Sequence, residues 1–265
     1  MLGVQEWLVR RAQRNQHSPE MRRGAAGKTR LLVRECEPRD EPEVRRIFIE
    51  GMMEMIEDTA IRGLPHHPDS LLLYGALTVA CLWLSSSWWM LVLVPMAVLI
   101  ARFWFSHQAV HRFTKHYLRT DMADIQGSYI NTQGSCLWVA EVEGAVVGHV
   151  SAVQISDHTV ELQRMSVDLG HRHRGVAVAL GRRFVKFAQS SGFSKAIVGT
   201  TDYRPASHKL YLSLGFRWVS VTNGYRHVRE PDGPSLLDRV FYHVSYHHYE
   251  MELLPENNAD GKELF

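Results

Sequence analysis

Arg172-His173-Arg174-Gly175-Val176-Ala177 stands directly behind the run Val160-Glu161-Leu162-Gln163-Arg164-Met165-Ser166-Val167-Asp168. The β-branched, apolar run predicts a strand, and the short basic segment around Gly175 a turn. The spacing of Val176, Ala177, Leu180, Phe184, Phe187 and Ala188 predicts a helix that starts at once and stops at Gly192. Such a junction brings unpaired backbone N–H groups and the positive end of a helix dipole to one point, which suits a phosphate or pyrophosphate. A solvated basic helix start has the same local composition, so the flanking sequence has to decide between the two.

Outward from this junction the pattern stays α/β. Residues 29–35 read as a strand, followed by a helix through Val44, Ile47, Phe48, Met52 and Met55. Residues 136–168 read as three strands, with Glu143-Gly144 as a hairpin turn. Downstream come a short buried-type strand at residues 195–200 and a helix opened by Pro205 that carries Leu210, Tyr211 and Leu214 and stops at Gly215. Residues 216–221 and 240–251 predict two further strands. The order is β α (insertion) β β β α β α β β, a sheet of mixed direction flanked by helices.

The insertion is apolar. Residues 70–101, 32 in all, contain no charge and no histidine, which reads as membrane-embedded. One continuous helix would be ~48 Å long, well beyond a ~30 Å hydrocarbon core. Ser85-Ser86-Ser87 interrupts the stretch, and two helices of about fifteen residues, ~22 Å each, are too short to cross comfortably. A hairpin entering and leaving one leaflet fits these lengths. If residues 29–35 share a sheet with residues 136–168, both ends of the hairpin emerge on one side. Arg62, Arg102, Arg112 and Lys115 suggest that this side is cytosolic. The expected organisation is a basic leader at 1–28, the first strand and helix at 29–68, a hairpin at 69–105, the rest of the domain at 106–251 and a tail at 252–265.

Composition narrows the function. A net charge of +2 over 265 residues does not indicate nucleic acid as a partner. The basic residues gather instead in residues 1–30, where Arg10, Arg11, Arg14, Arg22, Arg23, Lys28 and Arg30 face only Glu6 and Glu20. This fits a disordered leader, a segment touching an anionic membrane surface, or a mitochondrial presequence, although Ser18 is its only serine. Cys36, Cys81 and Cys136 form no spaced framework, and the histidines offer no helical pair with a third ligand, so neither disulfides nor a metal are expected.

Two motifs together carry a family resemblance. Arg172-x-x-Gly175-x-Ala177 behind a strand, followed by Tyr211-Leu212-Ser213-Leu214-Gly215-Phe216, resembles the GCN5-related N-acetyltransferase family over residues 30–250. Thr120-Asp121-Met122-Ala123-Asp124-Ile125, Glu161-Leu162-Gln163-Arg164-Met165-Ser166-Val167-Asp168, His208-Lys209-Leu210-Tyr211 and Thr59-Ala60-Ile61-Arg62-Gly63-Leu64 are similar to its membrane-anchored camello-type subgroup. The resemblance implies acetyl-CoA as co-substrate, with its pyrophosphate on the turn and Tyr211 near the thioester sulfur. It also implies an endoplasmic reticulum membrane with a cytosol-facing domain; a mitochondrial membrane is the alternative. Within the subgroup the pattern is most similar to enzymes that acetylate the amino group of L-aspartate. Enzymes acetylating protein lysines or cysteine S-conjugates, and a non-catalytic CoA-binding scaffold, are the alternatives. His173 and Arg174 stand where small residues or lysine are usual, and Arg204 and Ser207 replace the commoner Asn and Ala.

Acetyl transfer to an amine needs a held thioester, a neutral amine, and stabilisation of the oxyanion and leaving thiolate. Met165, Ser166 and Val167 are expected to polarise the carbonyl through their backbone. Arg172, His173, Arg174, Gly175, Val176 and Ala177 are expected to cradle the pyrophosphate, with Ser207 as a further cofactor contact. Tyr211 is the candidate acid or a packing aromatic, Glu161 the candidate base or an exposed strand carboxylate, and His208 a second base candidate or a surface helix residue. A dicarboxylate acceptor calls for arginine forks. Arg62 and Arg164 are the candidates, with Arg217 beside them, and Arg62 could equally anchor at the membrane edge. Residues 70–105 are expected to meet the bilayer.

Overall fold

The period-2 pattern of residues 136–142 is apolar on both faces, so the sheet must be covered on both sides. The structure, a computed structural model, describes residues 31–62, 68–85, 87–223 and 244–253. In chain order its elements are β1 (Leu31–Glu35), α1 (Glu41–Glu57), α2 (Pro68–Ser85), α3 (Met90–Arg119), β2 (Cys136–Val142), β3 (Ala145–Ser156), β4 (Thr159–Val167), α4 (Val176–Ser190), β5 (Lys195–Thr201), α5 (Pro205–Ser213), β6 (Arg217–Asn223) and β7 (Ser245–Glu252). They follow the expected order. The strands form one seven-stranded sheet, β1-β2-β3-β4-β5-β7-β6, in which β4 and β5 are parallel and the other neighbours antiparallel. Residues 29–30 and 240–243 of the expected strands, the leader and the tail from residue 254 lie outside the described residues.

The two covers follow from the alternation. Trp138, Ala140, Val150, Ala152 and Leu162 pack with Val176, Leu180, Phe184 and Ala188 of α4. Leu137 and Val139 pack with Val44 and Phe48 of α1 and with Met122, Ile125 and Tyr129. Burying a side chain such as Phe184 or Leu180 contributes about 2 kcal/mol, and α4 places them on one stripe by its 3.6 spacing. Glu143 (φ 53°) and Gly144 (φ 83°) make a tight hairpin turn whose positive φ values match the strand twist. At the end of α4, Gly192 takes φ 78°. Its N–H donates to Gln189 O and that of Phe193 to Ala188 O, so the last carbonyls of the helix are satisfied.

The apolar insertion is a helical pair with unequal legs. Instead of two helices of about fifteen residues, α2 has 18 residues and α3 has 30, with a turn at residues 87–89. The physical reason is that α3 changes partner rather than ending. Arg102, Ser106, Ala109, Val110 and Thr114 form a buried stripe at helical spacing, and α1 packs against this helix. The helix therefore continues beyond the expected hairpin boundary at residue 105. α3 is long and apolar enough to cross a membrane, with only 17% of its most apolar window buried inside the protein, and α2 is a shorter apolar helix beside it. Trp83, Leu72, Val92 and Ile100 stand exposed on the two helices, and Trp88 in the turn between them. β1 pairs with β2, so both ends of the insertion return to one sheet.

Candidate active site

The site begins where β4 and β5 part. Their parallel ladder runs from Thr159↔Lys195 to Leu162↔Val198 and stops there. β5 continues along β7 to Thr201, while β4 stays with β3 through an irregularity between His149 and Ser151. Arg164 takes φ 52° at this irregularity, and such a bulge bends the strand. The parting leaves Gln163 to Val167 on one wall and Gly199 to Thr201 on the other. At the far end of β4, Gly175 caps α4 at φ 81° without a side-chain hydrogen bond. The first N–H groups of α4 are thus open to an anion. An extended ligand with a phosphate end and an acyl end fits this arrangement.

The turn before α4 is held from α1. Arg172 donates its Nε–H to Val167 O (3.0 Å) and forks onto Glu54, with Nη1 to Oε2 at 2.9 Å and Nη2 to Oε1 at 3.2 Å. Its guanidinium thus faces inward, and the groups the turn leaves for an anion are backbone N–H groups and the exposed side chains of His173 and Arg174. Asp168 accepts from Gly170 N (3.0 Å) and from Arg46 (2.8 Å). Burial alone would raise its carboxyl, but Arg46 outweighs that and the net shift is downward. His173 sits at φ 60°, a left-handed conformation in which histidine is enriched among non-glycine residues.

Glu161 and Tyr211 approach the parting point from opposite faces. Glu161 is 2% exposed and accepts from Gln163 Nε2 at 2.6 Å. Tyr211 belongs to the cluster on the α4 face with Leu162 and Val198, set edge-on to Phe216. Burial pushes its phenol up to about 12, opposed by the charge of Arg204. Ser166 Oγ donates to Ile47 O (3.3 Å), Met165 packs against the α4-side core, and Ser207 lies in the first turn of α5. His208 is a strut: its Nε2–H donates to Thr201 O (3.0 Å) and its Nδ1 shares a hydrogen bond with the Tyr249 hydroxyl (2.5 Å). That pairing engages both ring nitrogens within the fold.

The expected substrate arginines fall in different places. Arg164 Nε donates to Asp121 Oδ2 at 2.8 Å, and its guanidinium lies 3.9 Å from the Tyr117 ring centroid. Asp121 also accepts from the Tyr129 hydroxyl; burial would raise its carboxyl, but Arg164 outweighs it and the net shift is downward. Arg217 is exposed at the start of the edge strand β6. Arg62 ends the π-turn after α1, and its side chain lies outside the described residues. Two participants carried no assigned role in the sequence reading. Glu54 could have been found only by knowing that α1 crosses the turn. Arg204, visible in the sequence as an arginine in place of Asn, donates from Nη2 to Gly51 O (3.2 Å).

Residues 101–216 match the acetyltransferase (GNAT) family. With the parted strands and the uncapped helix start, this defines the class: the chain belongs to the acetyltransferase (GNAT) family and is an acetyl-CoA-dependent N-acetyltransferase. Within it the chain groups with the N-acetylaspartate synthetases. It is 42% identical over 234 residues to the one from Homo sapiens, covering 88% of this chain and 77% of that one. To the Danio rerio N-acetylaspartate synthetase it is 41% identical over 230 residues, covering 86% and 81%. N-acetyltransferase 8B of Homo sapiens is 33% identical over 220 residues, covering 81% and 94%.

Proposed function

We propose that this enzyme transfers the acetyl group of acetyl-CoA to the amino group of L-aspartate, giving N-acetyl-L-aspartate and CoA, from a domain anchored to a membrane by α2 and α3. The acyl-transfer half rests on the parting of β4 from β5 beside the uncapped start of α4. The acceptor half rests on the similarity to N-acetylaspartate synthetases over most of both chains.

The backbone N–H groups of the turn and first helical residues, from Arg172 to Ala177, hold the pyrophosphate. Backbone N–H groups at Met165 to Val167 polarise the acetyl carbonyl, which makes the bend at Arg164 functional. Glu161 removes a proton from the acceptor ammonium, directly or through one water, so that the free amine attacks the carbonyl carbon; the nitrogen then loses its second proton to solvent as the C–S bond breaks, leaving the neutral amide and the thiolate. Ser207 supports the cofactor tail from α5, and Arg164, paired with Asp121, contributes to the wall of the acceptor side. A phenol at about 12 facing a thiol of about 8.5 would lose roughly 5 kcal/mol by full proton transfer. Tyr211 therefore stabilises the leaving thiolate by donating a hydrogen bond, and solvent supplies the proton on release.

The test is CoA release by the detergent-solubilised protein with aspartate, a histone-like peptide and S-benzylcysteine as acceptors. Release with aspartate in preference to the other two is expected. Preference for the peptide or the conjugate sinks the aspartate assignment, and no release with any acceptor despite acetyl-CoA binding sinks the enzymatic one.

A further inference from the structure

Most arginines that reach this site are already matched by a carboxylate at hydrogen-bond distance. Arg172 forks onto Glu54 at 2.9 Å, Arg164 holds Asp121 at 2.8 Å, and Arg46 holds Glu50 and Asp168 at 2.8 Å. Arg204 differs. Its nearest carboxylate, Asp58 Oδ2, is 3.7 Å from Nε, too far for a hydrogen bond. Its Nε is buried and has no hydrogen-bond partner among the described residues. Nη2, tied to Gly51 O, is the guanidinium nitrogen with a backbone partner. A guanidinium carries five N–H donors in a planar fork, so a large part of this one is unspent.

The position of that fork is informative. Arg204 follows β5 by three residues and caps α5, the helix that carries Tyr211. Its anchor, Gly51, lies directly over β4, where an added Cβ would collide with Ser166 Oγ. The side chain thus reaches from the β5 side of the opening across to α1 above the Met165–Val167 wall. Its charge also acts on the Tyr211 phenol, opposing the upward push of burial. An α-amino acid carries its carboxylate two bonds from the amine, so an acceptor whose nitrogen attacks at this wall must put a carboxylate within a few ångströms of it.

We infer that Arg204 binds the α-carboxylate of the acceptor, beside the amine that is acetylated, and so selects a free amino acid over a lysine side chain. The assignment rests on the amino-acid acceptor proposed above. It makes the replacement of the commoner Asn by arginine a specificity element rather than a cofactor contact.

The experiment is steady-state kinetics of the full-length, detergent-solubilised enzyme with aspartate, asparagine and β-alanine, each analogue lacking one of the two carboxylates. Wild type is compared with Arg204→Gln and Arg204→Lys. The glutamine variant is expected to lose about 100-fold in kcat/KM for aspartate, mainly in KM, the range for truncating one side of a charged pair. Its acetyl-CoA affinity should stay within twofold of wild type. The loss should nearly vanish with β-alanine, which lacks the α-carboxylate, and persist with asparagine. Arg204→Lys, which keeps the charge and guards against a folding defect, should fall between the two. Equal losses on all three acceptors, or an unchanged KM for aspartate, would overturn the assignment of Arg204 alone. A wild-type enzyme that ignores aspartate and acetylates peptide would overturn both the acceptor and this residue's role.

Discussion

Tyr211 and His149 show how burial can dominate the protonation of a side chain. The Tyr211 phenol, pushed up to about 12, stays protonated throughout the physiological range and remains a hydrogen-bond donor. Tyr211→Phe is expected to lower kcat about 10- to 100-fold, the range of one lost donor at a developing charge, with acetyl-CoA affinity changed less than twofold. Turnover and calorimetric binding measured on the same variant check this, and equal loss of both would make the residue structural. His149 is fully buried on β3, and neither ring nitrogen has a hydrogen-bond partner among the described residues. Burial pulls it down to about 3, so it is neutral in the fold. Above its unfolded value of 6.5 it is neutral in both states. Below that the unfolded chain binds a proton that the native one refuses, and stability falls with falling pH. The expected loss between pH 7 and pH 5 is about 2 kcal/mol. Asp121 and Asp168 are shifted downward from 3.8 and titrate below this window. Chemical unfolding of wild type and His149→Gln at the two pH values checks it, the variant losing the pH slope of one proton.

At the scale of elements, the turn before α4 depends on a helix far away in sequence. Glu54 of α1 and Arg172 are 118 residues apart, and Arg204 and Gly51 are 153 apart. Such ties leave no periodicity to read, which is why Glu54 and the acceptor-side role of Arg204 were not legible in the sequence. The turn itself was legible, because strand, basic segment and helix follow one another locally. So were the Glu143-Gly144 hairpin, the Gly192 stop and the order of elements, all of which depend on neighbours within a few residues. The second half of α3 was not, because its buried stripe from Arg102 to Thr114 interrupts an apolar run with polar residues and hides the change of partner. Glu54→Gln removes one side of a partly buried fork and should cost about 1–2 kcal/mol of stability. It should also weaken acetyl-CoA binding about tenfold by loosening the turn. Isothermal calorimetry on a variant shown to be folded checks this; unchanged cofactor affinity would detach the turn from α1.

At the scale of the whole molecule, the apolar helix pair is tied into the rest of the fold by one buried cation. Arg102 of α3 is fully buried, donating from Nε to Ala60 O (3.2 Å), from Nη2 to Thr59 O (3.1 Å) and from Nη1 to the Tyr74 hydroxyl of α2 (3.2 Å). Those carbonyls close the turn that follows α1, and a cation there complements the negative end of the helix dipole. Thr59 in turn shares a hydrogen bond with the Tyr203 hydroxyl (2.6 Å), next to Arg204 and the start of α5. One buried cation thus joins both apolar helices to the end of α1, and through it to the helix that bears Tyr211. Arg102→Met would leave two buried carbonyls without this donor. At about 1–3 kcal/mol for each unsatisfied group, the loss should be about 3 kcal/mol or more. Arg102→Lys keeps the charge but cannot satisfy all three acceptors at once, so its loss should be smaller. Thr59→Val, which removes only the link to Tyr203, should cost about 1 kcal/mol. Unfolding of the three variants in detergent, followed by a probe in the sheet such as Trp138, should rank them in that order. A helix pair serving only as an anchor would leave the sheet transition of Arg102→Met where it stands in the wild type.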